Sequence, residues 1–214
     1  IPLQQLTGVQ EFMGLEFQVN EHVLIPRQDT ETLVELVLSE HKEKNISLLD
    51  VCTGSGCIAI SLAKLGGYTD VTALDLSEEA LKVARSNGEK LLDQPVKFIK
   101  SDMFSALNPE KQYNVIVSNP PYIPSQVIEG LEPEVKDHEP RMALDGEPDG
   151  LKFYRILAEE GKKYLKNGGS IYMEIGWDQA KDVTEIFEAM GFSGLRTVRD
   201  MAGNDRVVCA RKEK

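Results

Sequence analysis

Basic residues are in short supply in this sequence. Lys and Arg number 24 against 35 Asp and Glu, a formal net charge of −11 over 214 residues. Such a chain gains little from counterion release, so tight non-specific binding to nucleic acid is disfavoured. No dense Lys/Arg block offsets this; only scattered pairs and Arg211-Lys212 occur. Cysteine is also scarce: Cys52, Cys57 and Cys209. An odd count without small-scaffold spacing argues against a disulfide framework and for a reducing, cytoplasmic setting. Cys52 and Cys57 have no second pair, and the chain holds three histidines, so no metal site is expected. No apolar run reaches membrane length and no signal peptide is visible, so no membrane role is expected. The chain opens on Ile1 rather than Met, which suits a fragment or a processed product.

What is present reads as one domain with a small appendage. Residues 1–25 alternate apolar positions around Gly8 and Gly14, and predict a β-hairpin appendage turning at Asn20-Glu21-His22. Pro26-Arg27-Gln28-Asp29 breaks it, and a domain over 26–214 follows. Arg27 reads first as a solvated loop cation, with a place beside the site as the alternative. Asp29 or Thr30 is placed to cap a helix that buries Leu33, Val34, Val37 and Leu38.

Residues 47–51 predict a short buried strand. Cys52-Thr53-Gly54-Ser55-Gly56 then makes a tight turn, and residues 58–65 a helix. Gly54-x-Gly56-x-x-Ala59 fits the nucleotide-binding fingerprint, although any sharp strand-to-helix turn can look like this. Residues 71–75 predict a second strand ending on Asp75. A carboxylate about 20 residues past the glycines is placed to take ribose hydroxyls. The plainer alternative is a cap for the helix from Glu78. Asp50, just before the glycine turn, opposes a pyrophosphate and suits a cofactor bearing a sulfonium and an ammonium. That favours S-adenosylmethionine over NAD.

A third strand, 96–100, leads to Ser101-Asp102-Met103-Phe104. Asp102 is placed to accept from an adenine amino group, with Met103 or Phe104 over the ring. An acidic loop with a core-facing Phe explains the segment equally well. The fourth strand, 113–117, delivers Ser118-Asn119-Pro120-Pro121-Tyr122, with Pro124 close behind. Proline rings fix φ and remove N–H donors, so this loop is stiff. Its chemistry suits methylation of an amide or aromatic amine nitrogen, whose lone pair is delocalised. The Asn119 side-chain oxygen and the Pro120 carbonyl can accept from its two N–H bonds and aim it. Tyr122 offers a flat face to a planar group. An ordinary proline-rich turn is the bland alternative.

Residues 123–150 form a long loop expected to be an ordered wall of the substrate pocket. His138 reads as solvated. A helix over 151–166 stops at Asn167-Gly168-Gly169, and residues 170–175 form a fifth strand. Trp177 reads as a packing residue. A helix over 179–190 precedes strands 194–199 and 206–210, joined by a hairpin-like connection that makes the last strand antiparallel.

Taken together, Leu6-Thr7-Gly8, Glu11-Phe12, Leu24-Ile25-Pro26-Arg27, Asp29-Thr30-Glu31, the glycine turn and Ser118 to Tyr122 form a pattern. Glu139-Pro140-Arg141, Ala143-Leu144 and Asn204-Asp205-Arg206 extend it. The chain resembles the catalytic domain of the protein-(glutamine-N5) methyltransferases of peptide chain release factors, the HemK/PrmC family. Asn-Pro-Pro-Tyr alone is shared with adenine-N6 DNA and guanine-N2 RNA methyltransferases; the Ile-Pro-Arg segment narrows it. The resemblance implies a Rossmann-like class I methyltransferase fold, α/β, with a seven-stranded mostly parallel sheet. It implies that Cys52, Thr53, Gly54, Ser55 and Gly56 wrap the methionine part of S-adenosylmethionine. Asp75 then binds ribose, and Asp102 with Met103 lies at the adenine. Asn119 and Pro120 hold the target glutamine amide, with Pro121 and Tyr122 against it, and Asn119 also belongs to the donor-binding set. S-adenosylhomocysteine is the implied product and a release factor the implied partner. Cys52 stands where the family usually has Gly, and Met103 where it often has an aromatic, so stacking is expected to shift to Phe104. The family's N-terminal helical domain has no counterpart in this chain.

Two rivals remain at this point. A base methyltransferase acting on a flipped nucleotide would want a basic groove. An NAD(P)-dependent oxidoreductase would want a hydride-transfer pair such as Tyr-x-x-x-Lys, which is missing.

Overall fold

Every residue of Ser47–Val51 is buried, and so is all of Tyr113–Ser118 except Asn114. Strands buried on both faces belong at the centre of a parallel sheet covered by helices on each side. The computed structural model, which describes residues 1–214, has that architecture. Its first elements are α1 (Leu3–Thr7), β1 (Val9–Phe12), β2 (Leu15–Gln18), α2 (Glu31–Glu40), β3 (Ser47–Val51) and α3 (Cys57–Gly66). Next come β4 (Asp70–Asp75), α4 (Glu78–Leu91), β5 (Lys97–Lys100) and β6 (Tyr113–Ser118). Three single turns follow: α5 (Ser125–Ile128), α6 (Pro133–Lys136) and α7 (Arg141–Leu144). Last are α8 (Lys152–Tyr164), β7 (Leu165–Glu174), α9 (Ala180–Ala189), β8 (Ser193–Arg199) and β9 (Asp205–Arg211).

The main sheet has seven strands in the order β5-β4-β3-β6-β7-β9-β8. Five run parallel, and β9 is antiparallel to both β7 and β8. From β3 the chain works outward through β4 and β5, then returns to β6 on the other side. The order therefore reverses between β3 and β6, and ligands of open α/β sheets bind beyond the strand ends at such a point. Alternate residues of one strand face opposite layers. Leu48, Val115 and Val117 join α2 and α3 in one core cluster, whereas Leu49, Val51 and Ile116 join α8 and α9 in the other. No helix is long and apolar enough to cross a membrane.

Five local expectations need correction. The hairpin is β1–β2, and it turns at Met13-Gly14, not at residues 20–22. Both turn residues have positive φ, 52° and 72°, which matches the twist of a tight two-residue hairpin. Methionine is an unusual occupant of that position, so the turn signal is hidden. Val23, Leu24 and Ile25 form no strand. Strand β7 starts at Leu165, so Asn167-Gly168-Gly169 lies inside it. The pairing with β6 shifts register there, and a Cβ on Gly169 would sit 3.0 Å from the Asn114 carbonyl oxygen. Glycine permits this irregular close approach and does not end the segment. Trp177 is 68% exposed and packs into neither core. Residues 28–30 form a single 3-10 turn that starts α2 without any side-chain cap. Asp29 instead lies 3.6 Å from Arg206.

Candidate active site

Strand β3 ends on Asp50-Val51, and the glycine turn coils back over its tip. Cys52, Gly54 and Gly56 take φ of 66°, 56° and 82°. The Thr53 N–H donates to the Leu74 carbonyl at 2.8 Å, and the Gly56 N–H to the Thr53 carbonyl at 2.9 Å. The Thr53 hydroxyl donates to Asp50 Oδ2 at 2.7 Å. Asp50 is fully buried and absent from the cavity lining, so it braces the turn and does not face a ligand. That corrects the electrostatic reading of Asp50 as a counter-charge.

Burial pushes Asp50 up to about 7, with the Thr53 hydroxyl offsetting only part of the cost. The folded protein thus holds this proton more tightly than an unfolded carboxyl of about 3.9. The contribution to stability is full below about pH 4 and is lost as pH rises through about 7. Glu174, pushed to about 7 by burial, acts with the same sign. Asp50→Asn is expected to flatten this loss, and urea midpoints at acidic and mildly alkaline pH measure it. An unaltered pH slope refutes the assignment.

Cys52 occupies a backbone conformation that favours glycine. A side chain there costs about 1–2 kcal/mol, of which glycine's extra unfolded freedom takes back roughly 0.5–1 kcal/mol. Cys52→Gly is therefore expected to match or slightly exceed wild-type stability. Cys52→Val, β-branched in the left-handed region, should be clearly less stable. Denaturant titration of both variants reads the difference.

Asp75, at the end of β4, is not the cap of α4. Ser77 performs that task, its Oγ accepting from the Ala80 N–H at 3.1 Å. Asp75 Oδ2 accepts from the Gly54 N–H at 2.8 Å, and Oδ1 from the Ser77 N–H at 2.9 Å. Burial raises its pKa, and those backbone N–H groups oppose the shift. Each oxygen keeps a lone pair for a ligand hydroxyl. Beyond β5, Asp102 is exposed and Met103 is buried with φ of 49°. The Met103 sulfur lies 3.8 Å from Cys52 Sγ. Phe104 does not take part. It is 1% exposed and stacks on Tyr164 at 5.1 Å within the second core. The expected shift of stacking to Phe104 is therefore overturned, and of this pair Met103 is the side chain that reaches the cavity.

One cavity of about 630 Å³ joins these parts. Cys52, Thr53, Gly54, Ser55, Asp75, Asp102, Met103, Asn119 and Pro121 all line it. Gly56, Pro120 and Tyr122 are not in the lining. Gly56 is needed for packing: a Cβ there would meet Ile60 Cδ1 at 2.9 Å and Ala84 at 3.2 Å. Pro120 is buried, and the Tyr122 hydroxyl points to Glu174 Oε1 at 3.3 Å. Burial pushes that phenol far above its ordinary range.

Sequence reasoning missed the supports of this site. Asn87 of α4, fully buried, donates to the Ser55 carbonyl at 2.9 Å and the Gln18 carbonyl at 3.0 Å. Its Oδ1 accepts from the Gln18 N–H at 2.7 Å, so one amide links hairpin, helix and glycine turn. Glu139 is a second support. One of its oxygens pairs with Arg27, and the other accepts from the Ile25 N–H at 2.9 Å. Arg27 lines the cavity, and so do Pro140 and Arg141 on the far side of this latch. The signals in the sequence are the run Glu139-Pro140-Arg141, inside the loop expected to wall the pocket, and Arg27 in its alternative reading beside the site.

Comparison with known proteins bears on the family and the fold. A family model described as "Methyltransferase small domain" matches residues 28–130. The release factor glutamine methyltransferase of Fusobacterium nucleatum is 45% identical, covering 99% of this chain and 60% of the relative. This chain thus spans under two thirds of that relative's length. The corresponding protein of Thermodesulfovibrio yellowstonii is 42% identical, with 100% of this chain and 77% of the relative covered. A solved protein-(glutamine-N5) methyltransferase (release factor-specific) from Alicyclobacillus acidocaldarius superposes with a TM-score of 0.54 at 32% identity. That alignment covers 92% of this chain and 100% of the other. With such identity across nearly its whole length, the chain belongs to the family of release factor glutamine methyltransferases.

Proposed function

We propose that this chain methylates the N5 side-chain amide of the glutamine in the Gly-Gly-Gln motif of a class-1 peptide chain release factor. The methyl donor is S-adenosylmethionine, and S-adenosylhomocysteine is released. The observation that carries this reading is the single cavity shared by the glycine turn, Asp75 and Asn119. Residues 26–214 serve as the methyltransferase domain and residues 1–25 as its appendage. The enzyme works in the cytoplasm on a protein partner, without nucleic-acid contacts of its own.

The residues present fit the donor. Open space stands where a Cβ on Gly54 would be, so backbone is bare to a ligand. Cys52, Thr53, Gly54, Ser55 and Gly56 curve around the methionine part. Asp75 takes the ribose hydroxyls, and Asp102 with Met103 receives the adenine. When bound, S-adenosylmethionine supplies an electrophilic methyl group on a sulfonium. Asn119 and the Pro120 carbonyl accept from the two N–H bonds of the target amide and turn its lone pair toward that methyl. Tyr122 lies against the amide plane. Positioning and exclusion of water supply most of the acceleration. No strong base is required, because the nitrogen becomes acidic only after it is methylated.

Incubation with labelled donor and a release factor, followed by peptide mass spectrometry, tests the proposal. One added methyl group on the Gly-Gly-Gln glutamine is expected. Label on DNA or RNA, or none on the release factor, overturns it.

A further inference from the structure

The downstream end of the Asn119–Tyr122 stretch is held by a side chain that the mechanism above does not use. Gln179 sits just before α9 and is 7% exposed. Its Oε1 accepts from the Gly176 N–H at 2.8 Å. Its Nε2 donates to the Tyr122 carbonyl at 2.9 Å and to the Gly150 carbonyl at 3.3 Å. The Tyr122 hydroxyl meanwhile reaches Glu174, the last residue of β7. Tyr122 is thus gripped at both ends from the β7–α9 junction.

The backbone around it is just as tight. A Cβ on Gly150 would lie 2.5 Å from the Tyr122 carbonyl oxygen, and one on Gly146 would lie 2.8 Å from Tyr122 Cα. The Gly146 N–H donates to the Ile123 carbonyl at 2.8 Å, and the Ile123 N–H to the Leu144 carbonyl at 3.0 Å. On the upstream side, the Ser118 hydroxyl donates to the Val51 carbonyl at 2.7 Å. Between these two anchors only Asn119, Pro120 and Pro121 remain, and two of the three have φ fixed by their rings. With both ends tied, the direction of the Pro120 carbonyl follows from the anchors.

We propose that Gln179 is a positioning residue for methyl transfer: by holding the Tyr122 carbonyl it aims the Pro120 carbonyl and the Asn119 side chain at the target amide. This rests on the reading that those two groups hold a glutamine amide. A carboxamide suits the task because it offers an acceptor to Gly176 and two donors to the paired carbonyls. Glutamate has no donor and would set an oxygen against two others. Methionine matches the volume without either function. The arrangement also withdraws the Tyr122 carbonyl from competition for the substrate.

Gln179→Met and Gln179→Glu are assayed on a release factor at saturating donor, beside the wild type. Donor affinity is measured by calorimetry, and hydrogen exchange is followed at the Ile123, Ser125 and Gly146 amides. The expected result is a kcat lowered roughly 10- to 100-fold, in line with the cost of a misplaced reacting group. Donor Kd should stay within about twofold, since the donor-facing residues are untouched. Exchange at the three amides should be faster. Unchanged kcat with a lowered melting temperature makes Gln179 merely structural and overturns the inference. Unchanged exchange at those amides overturns it as well. If the wild type methylates no release factor, the parent reading falls, and the exchange measurement alone decides the clamp. Should both variants fail to fold, Gln179→Asn, one methylene shorter, should show the same split in weaker form.

Discussion

Asn119→Ala is expected to lower kcat by roughly 10²- to 10³-fold, the loss seen when one preorganised polar contact to a reacting group is deleted. Affinity for S-adenosylmethionine should change by no more than about twofold, because on the proposed reading Asn119 holds the substrate amide more than the donor. The structural basis is its place in the fold. Asn119 follows β6, beside the point where strand order reverses, and lines the cavity next to Pro121. Its neighbour Ser118 is pinned to Val51, so the backbone is fixed and truncation should not spread. Single-turnover rates with calorimetric donor binding separate the outcomes. Equal losses in kcat and donor affinity would make Asn119 a structural residue.

Glu139→Ala is the second large effect. The Glu139 side chain is 1% exposed, and both its oxygens are engaged by the segment Ile25-Pro26-Arg27. Truncation strands the buried Ile25 N–H and leaves the Arg27 guanidinium with the Ile25 carbonyl but without its carboxylate partner. Arg27 is 40% exposed and recovers hydration, so the full penalty of a broken buried pair does not apply. The expected cost is about 2–3 kcal/mol, which lowers Tm by about 4–12 °C in a chain of this size. The latch joins two walls of the cavity, so donor Kd should weaken by roughly tenfold as binding must then order them. Thermal melts with and without donor test this. A variant that melts normally and binds normally removes Glu139 from any role in the site. Glu139→Gln, which keeps an acceptor for Ile25, should recover part of both losses.

Much of the sheet is legible in the sequence, because buried parallel strands are unbroken apolar runs. Residues 47–51 coincide with β3, and the antiparallel end was readable from the connection around Gly203. The turn at Met13-Gly14 was not, since Met13 takes a positive φ that its side chain does not announce. Trp177 misled because aromatic character does not report which side of a loop faces water. In the site, the glycine turn, Asp75, Asp102 and Asn119 are legible as residues at or just past strand ends. Asp50 was misjudged because its position on β3 is clear but its side-chain direction is not. Asn87, Gln179 and the bond from Glu139 to Ile25 are not legible as supports for a common reason. Each acts through backbone groups distant in sequence, and no local pattern encodes such a partner. Phe104 and Met103 are adjacent, and only the turn geometry decides which of them meets the cavity.

Asn87 has a consequence for how the molecule can be shortened or evolve. The same carboxamide that steadies the glycine turn also fastens the hairpin, so the two inherit each other's fate. A minimal version trimmed at residue 26 would lose Gln18 as the amide's other anchor and unseat Ser55 in the same stroke. What looks in outline like a detachable ornament is thereby a strut of the cavity floor.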